Sequence, residues 1–184
     1  LLYRDRIGKK PLYYSAVNGE LVFSSEIKAL LKYPAISRDL DYESLYHYFG
    51  LKHISAPSTA FKDIKQLLPG HFLVWSAGKT ITKSYWKVDF GSPIYDISEE
   101  EASEHLVSLL KDAVRIRMQC DVPFGAYLSG GVDSTSIVAL MNETRLNTLK
   151  TFCLGYEDEA RGQFVGKHQD LYYAKRMSRE FKTE

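Results

Sequence analysis

Hydrophobic and polar residues alternate in short runs over the first half of the chain, which predicts β-strands joined by tight turns. Asn18-Gly19 and Ala77-Gly78 stand between such runs, and both pairs are suited to a two-residue hairpin turn. This half is therefore expected to be β-rich, with strands at residues 1–4, 11–15, 20–24, 71–76 and 80–86.

Two helices are predicted between these strands. The first covers residues 25–33 and is stopped by Pro34, because proline cannot continue a helix. The second runs from Asp41, whose carboxylate is a good N-cap, through Leu51. Its expected apolar face consists of Leu45, Tyr48 and Phe49.

The second half has a different pattern, in which short apolar runs alternate with helical periodicity. Ser98 and Glu101 form a capping box that opens a long helix. After it the predicted order is strand (124–128), helix (134–143), strand (149–156) and helix (170–182). A βαβα order is typical of a parallel α/β sheet. The apolar side of the long helix is expected to comprise Ala102, Leu106, Leu109, Leu110, Ala113 and Val114.

The segment Ser-Gly-Gly-Val-Asp-Ser at residues 129–134 lies between the first of these strands and the next helix. Its glycines allow close backbone approach, and the N–H groups at a helix start favour an anion. Ser129 and Ser134 add hydroxyl donors. Asp133 has the wrong charge for a bare phosphate, so it is expected to hold Mg²⁺, to cap the helix, or to do both. The simpler alternative is an ordinary Gly-Gly turn with a capping aspartate.

Composition narrows the functional classes. The 184 residues are 45% hydrophobic and 26% charged, which is ordinary for a globular protein. A net charge of +1 gives no indication of nucleic acid or an anionic membrane as partner. No apolar run approaches the ~20 residues of a membrane helix. Cys120, Cys153 and the five histidines lack metal-ligand spacing. A reducing cytoplasm is the expected location.

Segment 129–134 resembles the pyrophosphate loop of ATP-dependent amide-forming synthetases, which split ATP between the α and β phosphates. Five further segments resemble glutamine-hydrolysing asparagine synthetases, in order along the chain: RDRIGKKPLYY (4–14), FSSEIKAL (23–30), LPGH (68–71), DVPFG (121–125) and TFCLG (151–155). Together these segments extend over nearly the whole chain, so the resemblance is specific.

The resemblance implies an α/β protein of two parts. Residues 1–86 would be the C-terminal part of an N-terminal-nucleophile (Ntn) hydrolase, an α+β glutaminase sandwich. Residues 87–97 would be a linker, and 98–184 the start of a parallel α/β adenine-nucleotide hydrolase-like domain. ATP, aspartate and glutamine would give asparagine, glutamate, AMP and pyrophosphate through an aspartyl-adenylate. ATP and Mg²⁺ are implied, with ammonia passed between two sites, and a homodimer is left open.

The resemblance also implies site residues. Ser129, Gly130, Gly131, Asp133 and Ser134 would meet the pyrophosphate, with Asp133 acting through Mg²⁺. Tyr127 and Leu154 match positions that contact adenosine in the family, although a smaller apolar residue is frequent at the position of Tyr127. The family's glutaminase nucleophile is a cysteine at the mature N-terminus, where this chain has Leu1. The chain is therefore expected to be an internal fragment that contains no glutaminase catalytic residue and is inactive by itself.

Alternatives remain open. A related carboxylate-amidating or β-lactam-forming synthetase would share both parts but use another acceptor, and a degenerate relative would be a non-catalytic ATP-binding module. Residues 162–168 resemble a Walker A loop but have three residues between the glycines, and are expected to lie in a variable surface loop at 157–169. Arg4, Asp5 and Arg6 are expected to form an ion-pair network.

Overall fold

A computed structural model describes residues 1–91, 96–144, 148–155 and 168–184. It divides into two compact units, Leu1–Pro93 and Ile94–Glu184. The predicted boundaries of the domains and the linker stay predictions. The Walker-like segment 162–168 and the variable loop 157–169 lie, apart from their last residues, outside the described part of the chain.

The first unit contains two antiparallel three-stranded sheets. One sheet has the order β1 (Leu2–Tyr3), β5 (His71–Ser76), β6 (Lys79–Ser84), and the other has the order β3 (Glu20–Ser24), β2 (Tyr13–Val17), β4 (Lys65–Gln66). Leu2, Leu67 and Leu73 form one buried cluster, and Leu30, Ile36 and Ile64 form another. The unit is thus β-rich as predicted, while its assignment to an Ntn-hydrolase sandwich stays a prediction.

Both predicted hairpins are confirmed. Asn18 and Gly19 have φ values of 51° and 75° and connect Val17 to its partner Glu20. Ala77 and Gly78 have φ values of 48° and 75° in the second turn. Positive φ at both central residues is the geometry that matches the twist of the flanking strands. Strand β6 ends at Ser84, two residues before its predicted end, because the N–H groups of Tyr85 and Trp86 donate to the carbonyl of Gly70.

The helices of the first unit differ from the prediction in extent and orientation. Helix α1 is confined to Ile27–Leu30 and ends well before Pro34. Helix α2, Tyr42–Leu51, begins at the predicted N-cap, Asp41. The predicted apolar face of α2 is wrong, since Phe49 is 82% exposed and Tyr48 is 47% exposed. The buried residue is Ser44, whose N–H and hydroxyl both donate to the Asp41 carboxylate. The side of α2 that carries Ser44 is therefore the one that faces inward.

The expected ion-pair network of Arg4, Asp5 and Arg6 is also wrong, because none of the ion pairs within the described ranges includes them. The buried guanidinium of Arg4 donates to the carbonyls of Lys10, Gly8 and Leu67. The Asp5 carboxylate accepts from the N–H groups of Lys10 and Lys9, which lowers its pKa. Arg6 lies over the ring of Trp86 at 5.9 Å. These residues organise the turn that follows β1.

The second unit has the predicted βαβα order. Its elements are α3 (Glu99–Arg117), β7 (Gly125–Tyr127), α4 (Val132–Glu143), β8 (Lys150–Phe152) and α5 (His168–Glu180). Strands β7 and β8 are parallel, with Ala126 opposite Thr151. The capping box of Ser98 and Glu101 is confirmed. The predicted helices and the parallel direction of the sheet are thus present, and each strand is shorter than expected.

The core of this unit lies between the sheet and its helices. It comprises Val114, Leu128, Val138, Leu140, Met141, Leu149 and Ala174. Only the last turns of α3 reach it, since Leu106 and Leu109 on the predicted apolar side are 57% and 59% exposed.

The outer edge of β8 is paired as well. The Glu184 N–H donates to the carbonyl of Leu149, and the Thr151 N–H donates to the carbonyl of Glu184. Bonds to the residues on either side of Lys150 are the pattern of a parallel pair. The chain therefore returns through α5 to the edge of β8 and runs there in the same direction as β7 and β8. Within the described residues no helix is long and apolar enough to cross a membrane.

Candidate functional site

The candidate site is the loop between β7 and α4, at the carboxyl end of the parallel strands. Leu128, which follows β7, is buried, and its N–H donates to the carbonyl of Phe152 at 2.8 Å. Helix α4 begins at Val132 with Gly131 as its N-cap residue. The edge where parallel strands end is where ligands bind in open α/β sheets. The fold thus brings residues 129–134 to the edge at which the sequence predicts a ligand.

The two glycines of the loop serve different purposes. Gly130 has φ of +80°, and a Cβ added to it would lie 2.3 Å from the Cβ of Tyr173 on α5. Gly131 has φ of −72°, and a Cβ there would meet only the Ser129 hydroxyl at 3.5 Å. Gly130 is therefore required by close packing against α5, whereas Gly131 leaves open space in front of the helix start. The close approach expected of both glycines toward a ligand is available at Gly131.

The two serines close the loop. The hydroxyl groups of Ser129 and Ser134 are 3.0 Å apart, and the Ser129 N–H donates to the Ser134 oxygen at 3.2 Å. The Ser134 hydroxyl also lies 3.2 Å from the carbonyl of Gly131, to which it can donate. Both hydroxyl groups are thus held at the mouth of the loop, where rotation about the C–O bond can redirect either proton toward an anion.

The helix start presents free donors. The N–H groups of Val132, Asp133 and Ser134 are in the first turn of α4, where a helix offers no acceptor. The structure gives these three groups no hydrogen-bond partner among the residues that it describes. Together with the positive end of the helix dipole, they form an arrangement suited to phosphate oxygens.

Asp133 is exposed and does not cap α4. The N-cap residue is Gly131, and the helix has no side-chain cap. No hydrogen bond or ion pair of the Asp133 carboxylate occurs within the described ranges. Of the two roles considered from the sequence, capping is therefore not observed. A lone carboxylate fits Mg²⁺, which is commonly held by one or two carboxylates together with substrate phosphates. The described part of the chain contains no cluster of three or more metal-ligating side chains.

Tyr127 and Leu154 lie at the ends of the two neighbouring strands. Tyr127 is the last residue of β7 and is 85% exposed, and Leu154, two residues beyond β8, is 75% exposed. Both side chains are therefore accessible to a ligand at this edge. The Tyr127 ring packs edge-on against Phe152, with the ring centroids 6.5 Å apart.

The sequence prediction did not include two residues that the structure adds to this region. Phe152 is 55% exposed, ends β8 opposite Tyr127 and packs against its ring. The predicted strand at 149–156, in which alternate residues share a face, was the available signal. Ala174 lies on α5 with its N–H beside Gly130. No local signal indicates this contact, because the two residues are far apart in sequence.

Comparison with protein families gives two matches along the chain. Residues 1–86 match the model of a glutamine amidotransferase domain, and residues 105–184 match that of asparagine synthase. A protein of Methanocaldococcus jannaschii is 37% identical over 186 aligned positions, which cover 98% of this chain and 34% of that protein.

Two further relatives carry different names, one a synthetase and the other an amidase. Asparagine synthetase (glutamine-hydrolyzing) 1 of Bacillus subtilis is 34% identical, over 85% of this chain and 24% of its own length. The amidase chyE of Penicillium rubens is 35% identical, over 75% of this chain and 20% of its own length. The chain thus spans between a fifth and about a third of the length of these relatives.

Proposed function

We propose that this chain, which belongs to the family of glutamine-hydrolysing asparagine synthetases, supplies the ATP-binding loop of a glutamine-dependent asparagine synthetase. The reaction would join ammonia from glutamine to aspartate, with an aspartyl-adenylate as intermediate and AMP and pyrophosphate as products. The observation that carries the proposal is a set of N–H groups at the start of α4 that have no acceptor among the described residues, flanked by Ser129 and Ser134.

The pyrophosphate would lie against this loop. The N–H groups of Val132, Asp133 and Ser134 would donate to its oxygens, and Gly131 offers open space for their approach. These donors are fixed before the reaction, so they stabilise charge on the leaving group without reorganisation. The two serine hydroxyl groups would turn from one another toward the same oxygens. The chain thereby supports departure of a two-phosphate group.

Asp133 would hold Mg²⁺ at the phosphates. A bound Mg²⁺ neutralises phosphate charge and orients the leaving group. The support for this assignment is the exposed carboxylate of the second residue of α4, which has no partner in the part of the chain that the structure describes. Adenosine would lie against Tyr127 and Leu154, whose exposed side chains end adjacent strands.

The first experiment tests Asp133 in the native full-length protein. Asp133→Asn keeps the size of the side chain and removes its charge, so pyrophosphate release should fall by ~100-fold, the scale of one lost electrostatic group. Asp112→Asn is the matched control, because Asp112 is an exposed carboxylate of the same unit that pairs with Arg115 on α3. Formation of ADP, or a normal rate of pyrophosphate release from Asp133→Asn, would reject the proposal.

A second experiment tests the adenosine position and the acceptor. Leu154→Asp places a charge against the proposed adenine and should weaken ATP binding strongly. Unchanged ATP affinity in a folded variant would remove Leu154 from the site. Exchange of labelled pyrophosphate into ATP should require aspartate. Exchange that depends on another carboxylate would identify one of the related carboxylate-amidating synthetases instead.

A further inference from the structure

Tyr173 on α5 lies directly beside the candidate loop. A Cβ built on Gly130 would be 2.3 Å from the Cβ of Tyr173 and 2.7 Å from its carbonyl carbon. Real Cβ atoms do not come this close to other atoms, so only a glycine fits at this point of the loop. The side chain of Tyr173 therefore leaves α5 against the backbone of Gly130.

The ring of Tyr173 extends toward the edge of the sheet at which the loop lies. A Cβ built on Gly155, which follows β8, would be 3.3 Å from Leu171 near the start of α5. Beyond the end of α5, the Glu184 N–H donates to the carbonyl of Leu149, the residue before β8. Helix α5 thus runs antiparallel to β7 and β8 and begins at their carboxyl edge. Because helical side chains lean toward the N-terminus of their helix, the ring is directed to this edge.

The Tyr173 side chain is accessible to a ligand. It is 43% exposed, whereas the next residue, Ala174, is 4% exposed and belongs to the core. The Tyr173 hydroxyl has no hydrogen-bond partner among the residues that the structure describes. Its ring packs edge to face against the ring of Tyr172, with the centroids 5.3 Å apart. This contact restricts the ring, so less conformational freedom is lost when the hydroxyl binds a ligand.

A donor on α5 complements the donors of the loop. The N–H and hydroxyl groups described above belong to residues 129 and 132–134, within the loop and the first turn of α4. Pyrophosphate carries oxygen atoms that point in several directions, and a donor on a second element reaches those that face away from α4. A phenol hydroxyl is a neutral donor, and its hydrogen bonds to anionic oxygen are stronger than those between neutral groups.

We propose that Tyr173 is a further ligand-contacting residue of the pyrophosphate site and that its hydroxyl donates to a phosphate oxygen. This inference rests on the proposed function of the loop. Its distinguishing consequence is that the hydroxyl matters for pyrophosphate and not for adenosine. Packing against Gly130 requires only the Cβ and the ring, so a purely structural role would not depend on the hydroxyl.

The test uses Tyr173→Phe in the native full-length protein, because phenylalanine keeps the Cβ and the ring and removes only the hydroxyl. Isothermal titration calorimetry measures the affinity for pyrophosphate with Mg²⁺ and, separately, for adenosine. The affinity for pyrophosphate should fall by at least ~10-fold, the scale of a hydrogen bond to a charged group. The affinity for adenosine should stay within about 2-fold of wild type, which also shows that the variant is folded.

Tyr172→Phe is the matched control. Tyr172 is 63% exposed and adjacent in sequence, but it lies about 100° further round the helix from Tyr173. Phenylalanine at position 172 keeps the ring contact with Tyr173. Both affinities should therefore stay within about 2-fold of wild type.

The outcomes separate this inference from the proposed function. If wild type binds pyrophosphate and Tyr173→Phe loses less than ~10-fold, the inference is overturned and the function of the loop stands. A parallel loss of pyrophosphate and adenosine affinity, or an equal loss in Tyr172→Phe, would also overturn it, since neither is specific to the Tyr173 hydroxyl. A wild-type protein that binds neither ligand would reject the proposed function, and this inference with it.

Discussion

Arg4→Met should destabilise the first unit strongly, because Arg4 is a buried donor to three carbonyl groups. The side chain is 8% exposed and donates to Leu67 at 2.5 Å, to Lys10 at 3.1 Å and to Gly8 at 3.1 Å. Methionine keeps most of the apolar stem and removes every donor. A buried carbonyl without its partner costs ~1–3 kcal/mol, and each part-buried bond contributes ~0.5–1.5 kcal/mol. The expected loss in the free energy of unfolding is therefore roughly 2–6 kcal/mol.

The loss is measurable because it is large against the ~5–15 kcal/mol stability of a typical domain. The assay is urea unfolding followed by tryptophan fluorescence. In the 184-residue chain both tryptophans, Trp75 and Trp86, lie in the first unit, so the fluorescence of this chain reports the unfolding of this unit and not of the second.

Arg38→Met is the matched control, because the Arg38 guanidinium is exposed and donates one long bond, at 3.4 Å, to the carbonyl of Leu31. Its unfolding free energy should lie within ~0.5 kcal/mol of wild type, as for most surface substitutions. An Arg4→Met protein less than ~1 kcal/mol below this control would refute the view that the carbonyl contacts of Arg4 hold the unit together.

Three other predictions use the same unfolding assay or simple chemistry. Gly70→Ala should lower the free energy of unfolding of the first unit by at least ~1 kcal/mol more than Gly78→Ala. Both glycines have positive φ, but only at Gly70 would a Cβ lie 2.3 Å from a carbonyl oxygen, that of Trp86. Equal losses would contradict this contact. The Ser44 N–H and hydroxyl lower the pKa of Asp41. The cap therefore stabilises the folded first unit at neutral pH. This stabilisation is lost as the pH falls from the ordinary pKa of an aspartate through the lowered pKa of Asp41. Stability measured across this range should depend less on pH in Asp41→Asn, and an unchanged slope would disprove the linkage. Burial raises the pKa of the Cys153 thiol, so iodoacetamide should modify the exposed Cys120 first in peptide mapping by mass spectrometry, and the reverse order would be inconsistent with this burial.

Turns, helix caps and the glycine-rich loop could be predicted from the sequence, because each depends on residues that are close together along the chain. The Asn18-Gly19 turn depends on residues that tolerate positive φ, and the caps at Asp41 and Ser98 depend on a hydrogen bond to a residue three positions later. The loop at 129–134 is readable for the same reason, since a glycine-rich turn between a strand and a helix needs no distant partner to be recognised.

Features that depend on distant residues were decided by the tertiary structure. Arg4 was expected in ion pairs, and its carbonyl acceptor at Leu67 is 63 positions away. The inward face of α2 was expected to be aromatic, whereas its buried residue is Ser44 and Phe49 is exposed. Gly130 was expected to allow close approach of a ligand. In the structure it allows close approach of α5, which lies more than forty positions later along the chain. A sequence pattern specifies which side chains can be buried or bonded, but only packing between elements selects the partner, because many partners satisfy the same pattern.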